Sequence, residues 1–267
     1  MSLRGGKTVR GTIARNTAFN AAGRVCEAAL GLVLTAYILS HLDTAAWGLW
    51  SLVAVVSGYA ALFDFGVGSG FARFIAAHAA RDQGDAVSAV VTTGLAFYVA
   101  FGAGLVVLGV PLVWGAFAVW APTAGEAAAR AEDLRFLIAG ALVLFAVNGC
   151  IAPFAAVPVG LQRMGWSNAL SVGAAGVKCG ATAAMLEGGF GVRGLLYAQG
   201  ITLAVSAVAT VALAVALQPG LRPGRAALAP AAWLALFGIG GGDQVTRLAN
   251  RMNVQTGRVL WGLLFVL

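Results

Sequence analysis

Charged residues are scarce in this sequence. Only 10% of its 267 residues are Asp, Glu, Lys or Arg, whereas 60% are apolar. Soluble domains carry about 25% charged residues, so an ordinary soluble domain is excluded and a polytopic membrane protein is predicted. Acidic residues are fewer than basic ones, which leaves a net charge of +7. We attribute this excess of positive charge to basic loops, which anionic lipid headgroups attract. We expect no nucleic-acid partner.

Cysteine and histidine are also rare. Three cysteines fall within apolar runs, and because their number is odd they predict neither a disulfide framework nor a metal site. A membrane enzyme acting on polyprenyl lipids needs clustered acids or a histidine base. The two histidines, His41 and His78, lie near loops without such a cluster. We therefore expect no metal, no cofactor and no enzymatic activity.

Long apolar runs alternate with short loops along the chain. A helix needs about 20 mostly apolar residues to cross a hydrocarbon core of about 30 Å, and these runs are too uniformly apolar for barrel strands. The sequence therefore predicts an all-α membrane bundle of six or seven transmembrane helices. The predicted spans are Ala18–Leu42, Ala46–Phe71, Val87–Trp114, Leu134–Val157, Trp166–Leu186 and Leu195–Leu217, with a seventh beginning near Trp233.

Two features lie between or near the ends of these spans. The longest connection, Gly115–Asp133, is rich in alanine and acidic residues and is expected to form a small surface helix. Pro153 and Pro158 lie near the end of the fourth span, where proline removes a backbone hydrogen bond and favours a kink. Such kinks shape cavities, but they also occur in membrane helices with no special role.

The distribution of basic residues predicts the orientation, because cytoplasmic loops carry the excess of Lys and Arg. A cytoplasmic N-terminus leaves only Arg130, Arg135 and Arg193 on the outer side. The basic N-terminal stretch resembles the start of a signal peptide, but the apolar run behind it is too long for one and contains Glu27. We therefore predict a retained first helix and a cytoplasmic N-terminus.

Several charged residues fall inside predicted spans, where each costs about 2.5 to 3.5 kcal/mol at a helix centre if it faces lipid. Arg24 and Glu27 share one helical face and either border a wet interior or neutralise each other as an ion pair. Asp64, in a glycine-rich stretch, acts either in transport or as a structural partner of an arginine on another helix. Lys178 must line a cavity, pair with an acid or extend to the interface.

The seventh segment has the highest density of charge. Asp243, Arg247, Arg251 and Arg258 project within an arc of about 80° on a helix. Such a stripe fits either a spanning helix that lines a polar interior or an amphipathic helix on the membrane surface. Apolar turns on both sides of it favour the spanning helix. Because cations outnumber acids in the spans, we expect a phosphate-bearing or polyanionic substrate rather than an organic cation.

Five short patterns in this sequence are typical of one transporter family. They are Asn16–Leu42, Trp47–Leu52, Asp64–Gly70, Arg73–Ala76 and Gln255–Arg258. Together they resemble the Wzx-type oligosaccharide flippases of the MOP superfamily. In that family the second helix typically ends in an Asp-Leu-Gly-Leu-Gly-like turn followed by Arg-Phe, and an aspartate usually precedes the arginine of the seventh helix. Here Gly257 stands where that aspartate is usual, so an acidic role at this position is not expected.

The resemblance implies one lobe of a V-shaped transporter with twelve to fourteen helices. Residues 1–225 would form the first lobe, and residues 226–267 would begin the second. The apolar run Val259–Leu267 has no polar cap, so we expect the sequence to stop within its seventh helix.

The implied function is export of a polyprenyl-pyrophosphate-linked oligosaccharide across the bacterial cytoplasmic membrane by alternating access. Polysaccharide polymerase and other assembly proteins are possible partners, beside membrane lipids. The cations expected to bind the pyrophosphate are Arg24, Lys178, Arg247, Arg251 and Arg258. The acids expected to balance them or to couple transport to an ion are Glu27, Asp64 and Asp243. The alternatives are a multidrug or small-metabolite antiporter of the same superfamily and a non-transporting membrane scaffold.

Overall fold

All secondary structure in the described part of the chain is helical. The computed structural model describes residues 5–60, 67–81, 83–120 and 125–221. Its helices are α1 (Gly5–His41), α2 (Thr44–Ala60), α3 (Val67–Ala79), α4 (Gly84–Trp120), α5 (Gly125–Gly160), α6 (Met164–Glu187) and α7 (Gly191–Leu217). The predicted all-α fold is confirmed. The predicted seventh span, beginning near Trp233, lies outside the described residues.

Five of the described helices are long and apolar enough to cross a membrane. They are α1 over Ala21–His41, α4 over Gly84–Val119, α5 over Ala127–Gly160, and the whole of α6 and α7. The chain is a multi-pass membrane protein. The predicted second span, Ala46–Phe71, covers α2 and the beginning of α3, and its residues 61–66 lie outside the described part of the chain.

The connection between the third and fourth predicted spans is shorter than expected. The prediction of a separate surface helix within Gly115–Asp133 is wrong, because α4 continues to Trp120 and α5 already begins at Gly125. Alanine is the strongest helix former, so the alanine-rich flanks prolong both helices beyond their apolar runs. At about 1.5 Å per residue, the 37 residues of α4 span about 55 Å and extend past the hydrocarbon core.

Helix α5 is the centre of the bundle and packs against α2, α3, α4, α6 and α7. The largest buried cluster joins α3, α4 and α5 around Phe71, Val91 and Val157, which are fully enclosed. Both predicted kink positions, Pro153 and Pro158, are buried within α5.

Helix α1 lies at the edge of the bundle and packs mainly against α6. The Cys179 thiol of α6 is 4.0 Å from the carbonyl oxygen of Leu30. The Tyr37 hydroxyl donates a hydrogen bond of 3.0 Å to Glu187. From the first contact to the second, the residue number rises in both helices, from Leu30 to Tyr37 in α1 and from Cys179 to Glu187 in α6. The two helices therefore run in the same direction.

Candidate functional site

A cavity of about 400 Å³ lies between α2, α5, α6 and α7. This volume falls within the range of about 300 to 1,000 Å³ that small-molecule sites occupy. Seven of its ten lining residues are apolar. The polar ones are Lys178 of α6, Asn148 of α5 and Gln199 of α7. The cavity is therefore a mostly apolar chamber with one cation and two neutral amides.

Among the described residues that line this cavity, Lys178 is the one with a charge. It is half-buried, and no described residue forms an ion pair or hydrogen bond with its ammonium group. It lies nine residues before the end of α6 at Glu187, roughly 14 Å along the axis at 1.5 Å per residue. Of the three expectations for Lys178, pairing with a described acid is not observed. A place on the wall of a cavity is observed.

Arg24 and Glu27 both lie on α1, and both are exposed. Neither forms an ion pair with the other or with another described residue, so the expected alternative of mutual neutralisation is not observed in this conformation. Leu30 is level with Cys179, so Arg24 lies roughly 9 Å further toward the start of α1. The structure thus places Arg24 on a neighbouring helix at another depth and outside the cavity lining.

The remaining predicted site residues lie outside the described part of the chain. They are Asp64, Asp243, Arg247, Arg251 and Arg258. The substrate-binding role of the three arginines and the charge-balancing or ion-coupling role of the two aspartates stay predictions.

An ion-pair cluster joins α5 and α7 at one end of the cavity-forming helices. The Arg193 guanidinium donates to the Asp133 carboxylate at 2.6 Å and to Glu132 at 3.4 Å. It also lies 5.1 Å from the centre of the Phe136 ring. Leu196, one turn after Arg193, is a lining residue. The cluster therefore links α5 to α7 near this end of the cavity.

Sequence reasoning identified Lys178 but missed the other polar residues of the cavity. Asn148 and Gln199 are neutral, so they did not stand out in a search for charges within spans. An amide within an otherwise apolar run was the available signal, since such a group needs a hydrogen-bonding partner or water. Arg193 was counted only as a loop charge, although it ties two helices together.

Comparison with solved structures identifies a similar fold. A MOP superfamily transporter from Pyrococcus furiosus matches 89% of this chain with a TM-score of 0.68 and 20% sequence identity. The binding pocket of that transporter has a reverse polarity, which suggests a different function for it. No protein-family model matches the sequence, and no curated protein matches it significantly.

This likeness shows that the described helices have the fold of a MOP superfamily transporter. The match covers 52% of the Pyrococcus protein, so the chain spans about half of that transporter's length. The sequence resemblance had predicted this superfamily, and the comparison supports it at the level of the fold. The narrower resemblance to oligosaccharide flippases stays a prediction.

Proposed function

We propose that the chain provides one lobe of a membrane transporter that exports a polyprenyl-pyrophosphate-linked oligosaccharide by alternating access. The fold likeness supports transport, and the sequence resemblance supports the class of substrate. The observation that carries the proposal is the position of Lys178 on the wall of an apolar cavity within a membrane-spanning helix. A cation in this setting is costly unless an anion joins it.

The charge balance of the cavity favours an anionic substrate over an organic cation. None of the ten lining residues that the structure describes is acidic. A cationic drug would meet Lys178 without a neighbouring carboxylate and would be repelled in a low-dielectric environment. A phosphate oxygen would accept hydrogen bonds from the ammonium group and from the side-chain amides of Asn148 and Gln199.

A flipping assay tests the proposal. The protein is reconstituted into vesicles with a fluorescent polyprenyl-pyrophosphate-linked disaccharide, and a glycosidase that does not cross membranes reports glycan on the outer leaflet. Replacing Lys178 by Gln should lower the flipping rate by about tenfold or more, because hydrogen bonds to charged groups contribute about 1.5 to 3 kcal/mol. Lys178→Arg should retain most of the rate.

Arg163→Gln is the matched control, since it removes one positive charge from an exposed position in the turn between α5 and α6. It should leave flipping unchanged. If the wild-type protein moved cationic dyes and not the lipid-linked disaccharide, the proposal would be wrong and the antiporter alternative would replace it. If it moved neither, the scaffold alternative would be favoured.

A further inference from the structure

The cavity is poorly suited to hold sugars. A buried hexose brings several hydroxyl groups, and each needs a hydrogen-bonding partner to offset its loss of water. The described lining offers three polar side chains, Lys178, Asn148 and Gln199, besides the indole N–H of Trp50. If the first three bind a phosphate, one further donor group is left for the hydroxyl groups. The distribution of polar groups therefore fits a single small anionic group better than a glycan.

The rest of the lining is suited to a hydrocarbon chain. The walls include Val53 of α2, Leu144 and Phe145 of α5, and Leu196 and Leu203 of α7. A branched apolar chain that enters such walls gains the transfer free energy of its buried surface. Among the described lining residues, only Trp50 adds a further polar group, its indole N–H, to the three polar side chains.

The charge of the cavity limits how much anion it can accept. One ammonium group compensates about one negative charge, and the two amides donate hydrogen bonds without adding charge. A full diphosphate would leave charge unbalanced against the described lining unless further cations joined it. One phosphate group is therefore the expected occupant of the polar side.

We propose that this cavity binds the lipid end of the substrate, namely one phosphate group at Lys178 with the first isoprenoid units along the apolar walls. The sugars then lie outside the cavity. This inference rests on the proposed function, because it assigns a part of that substrate to the site. It goes beyond that proposal because it states which part of the substrate this cavity binds: the lipid phosphate and not the glycan.

Direct binding to the purified protein tests this assignment without transport. Three probes separate the two halves of the ligand: farnesyl phosphate, farnesol, which lacks the phosphate, and glucose 1-phosphate, which lacks the isoprenoid chain. Farnesyl phosphate should bind at least about tenfold more tightly than either fragment, because each fragment keeps only one of the two contributions. Lysophosphatidic acid, a phosphate on a linear acyl chain, reports whether the walls distinguish branched chains.

Variants at Lys178 connect the binding to the cavity. Lys178→Gln should weaken farnesyl phosphate about tenfold and leave farnesol unchanged, while Lys178→Arg should stay within about threefold of wild type. Arg163→Gln, the exposed control, should bind all probes as the wild type does. Circular dichroism and thermal melting establish that each variant is folded.

The outcomes separate this inference from the proposed function. Glucose 1-phosphate binding as tightly as farnesyl phosphate would overturn the inference, as would unchanged farnesyl phosphate affinity in folded Lys178→Gln. Lysophosphatidic acid binding as tightly as farnesyl phosphate would overturn the assignment to isoprenoid chains. Lys178-dependent binding of farnesyl phosphate by a protein that flips no glycan would support the site and defeat the proposed function. If a variant that no longer binds farnesyl phosphate still flipped the lipid-linked disaccharide, the proposed function would be supported and this site assignment would be wrong.

Discussion

The packing of α4 against α3 and α5 predicts a strong effect for a single added methyl group at Gly94. A Cβ atom at this position would lie 2.5 Å from Cε1 of Phe71, closer still to Cζ of the same ring, and 3.0 Å from Cγ of Pro153. Phe71 and Pro153 are both fully buried. Since neither ring can swing into solvent, Gly94→Ala must push helices apart or force a strained rotamer, which costs about 1 to 3 kcal/mol.

Gly104→Ala is the matched control on the same helix, because nothing lies within 4 Å of its added Cβ. Both substitutions gain the same helix propensity, about 0.5 to 1 kcal/mol. The difference between the two variants therefore isolates the crowding. At about 2 to 4 °C per kcal/mol for a chain of this size, Gly94→Ala should melt about 2 to 12 °C below Gly104→Ala.

Melting of the detergent-solubilised protein, followed by circular dichroism at one heating rate for both variants, measures this difference. A Gly94→Ala variant that melts at or above Gly104→Ala would refute the packing argument. A double-mutant cycle gives a second check. If Phe71 is the obstacle, Phe71→Leu should be less destabilising in the Gly94→Ala background than in the wild type.

Two further predictions concern the ends of the helices. Arg193→Gln and Asp133→Asn should each lower the free energy of unfolding by about 1 kcal/mol, because their 2.6 Å ion pair is partly exposed. The double variant should lose no more stability than the more damaging single variant. Additive losses in melting experiments would show that the pair contributes nothing. The predicted cytoplasmic N-terminus places Thr44 on the outer side of the membrane and Arg163 on the cytoplasmic side. In a variant without the native cysteines, a membrane-impermeant maleimide should therefore label Thr44→Cys in intact cells. It should label Arg163→Cys only after the cells are permeabilised. The opposite labelling would invert the orientation.

The sequence was sufficient to predict the helices but not their ends. Apolar runs mark the membrane-crossing part of a helix, so most spans were found. Hydropathy says little about where the helix itself stops. For this reason α5 begins at Gly125, nine residues before the predicted start at Leu134, through an alanine-rich stretch.

The cavity could be predicted only in part, because its polar groups are distant in sequence. Lys178 was identified because a lone lysine within an apolar span needs an explanation. Asn148 and Gln199 come from two other helices, and Trp50 from a third. Only the packing of α2, α5 and α7 brings these residues to one chamber, and periodicity within a single helix cannot indicate which neighbours it will have.

The positions of Arg24 and Lys178 have a consequence for the proposed transport. The two cations lie on packed helices that run in the same direction, α1 and α6. Arg24 lies about 9 Å below Leu30, and Lys178 one residue below the level of Leu30, so about 8 Å separates them along the helices. Under the proposed function, they would offer positive charge at two depths instead of at one. With the predicted cytoplasmic N-terminus, a phosphate that contacts both side chains on its way outward would meet Arg24 before Lys178. Because an unpaired charge in a low-dielectric region is costly, this order would lower the energy of the anion along the proposed direction of export.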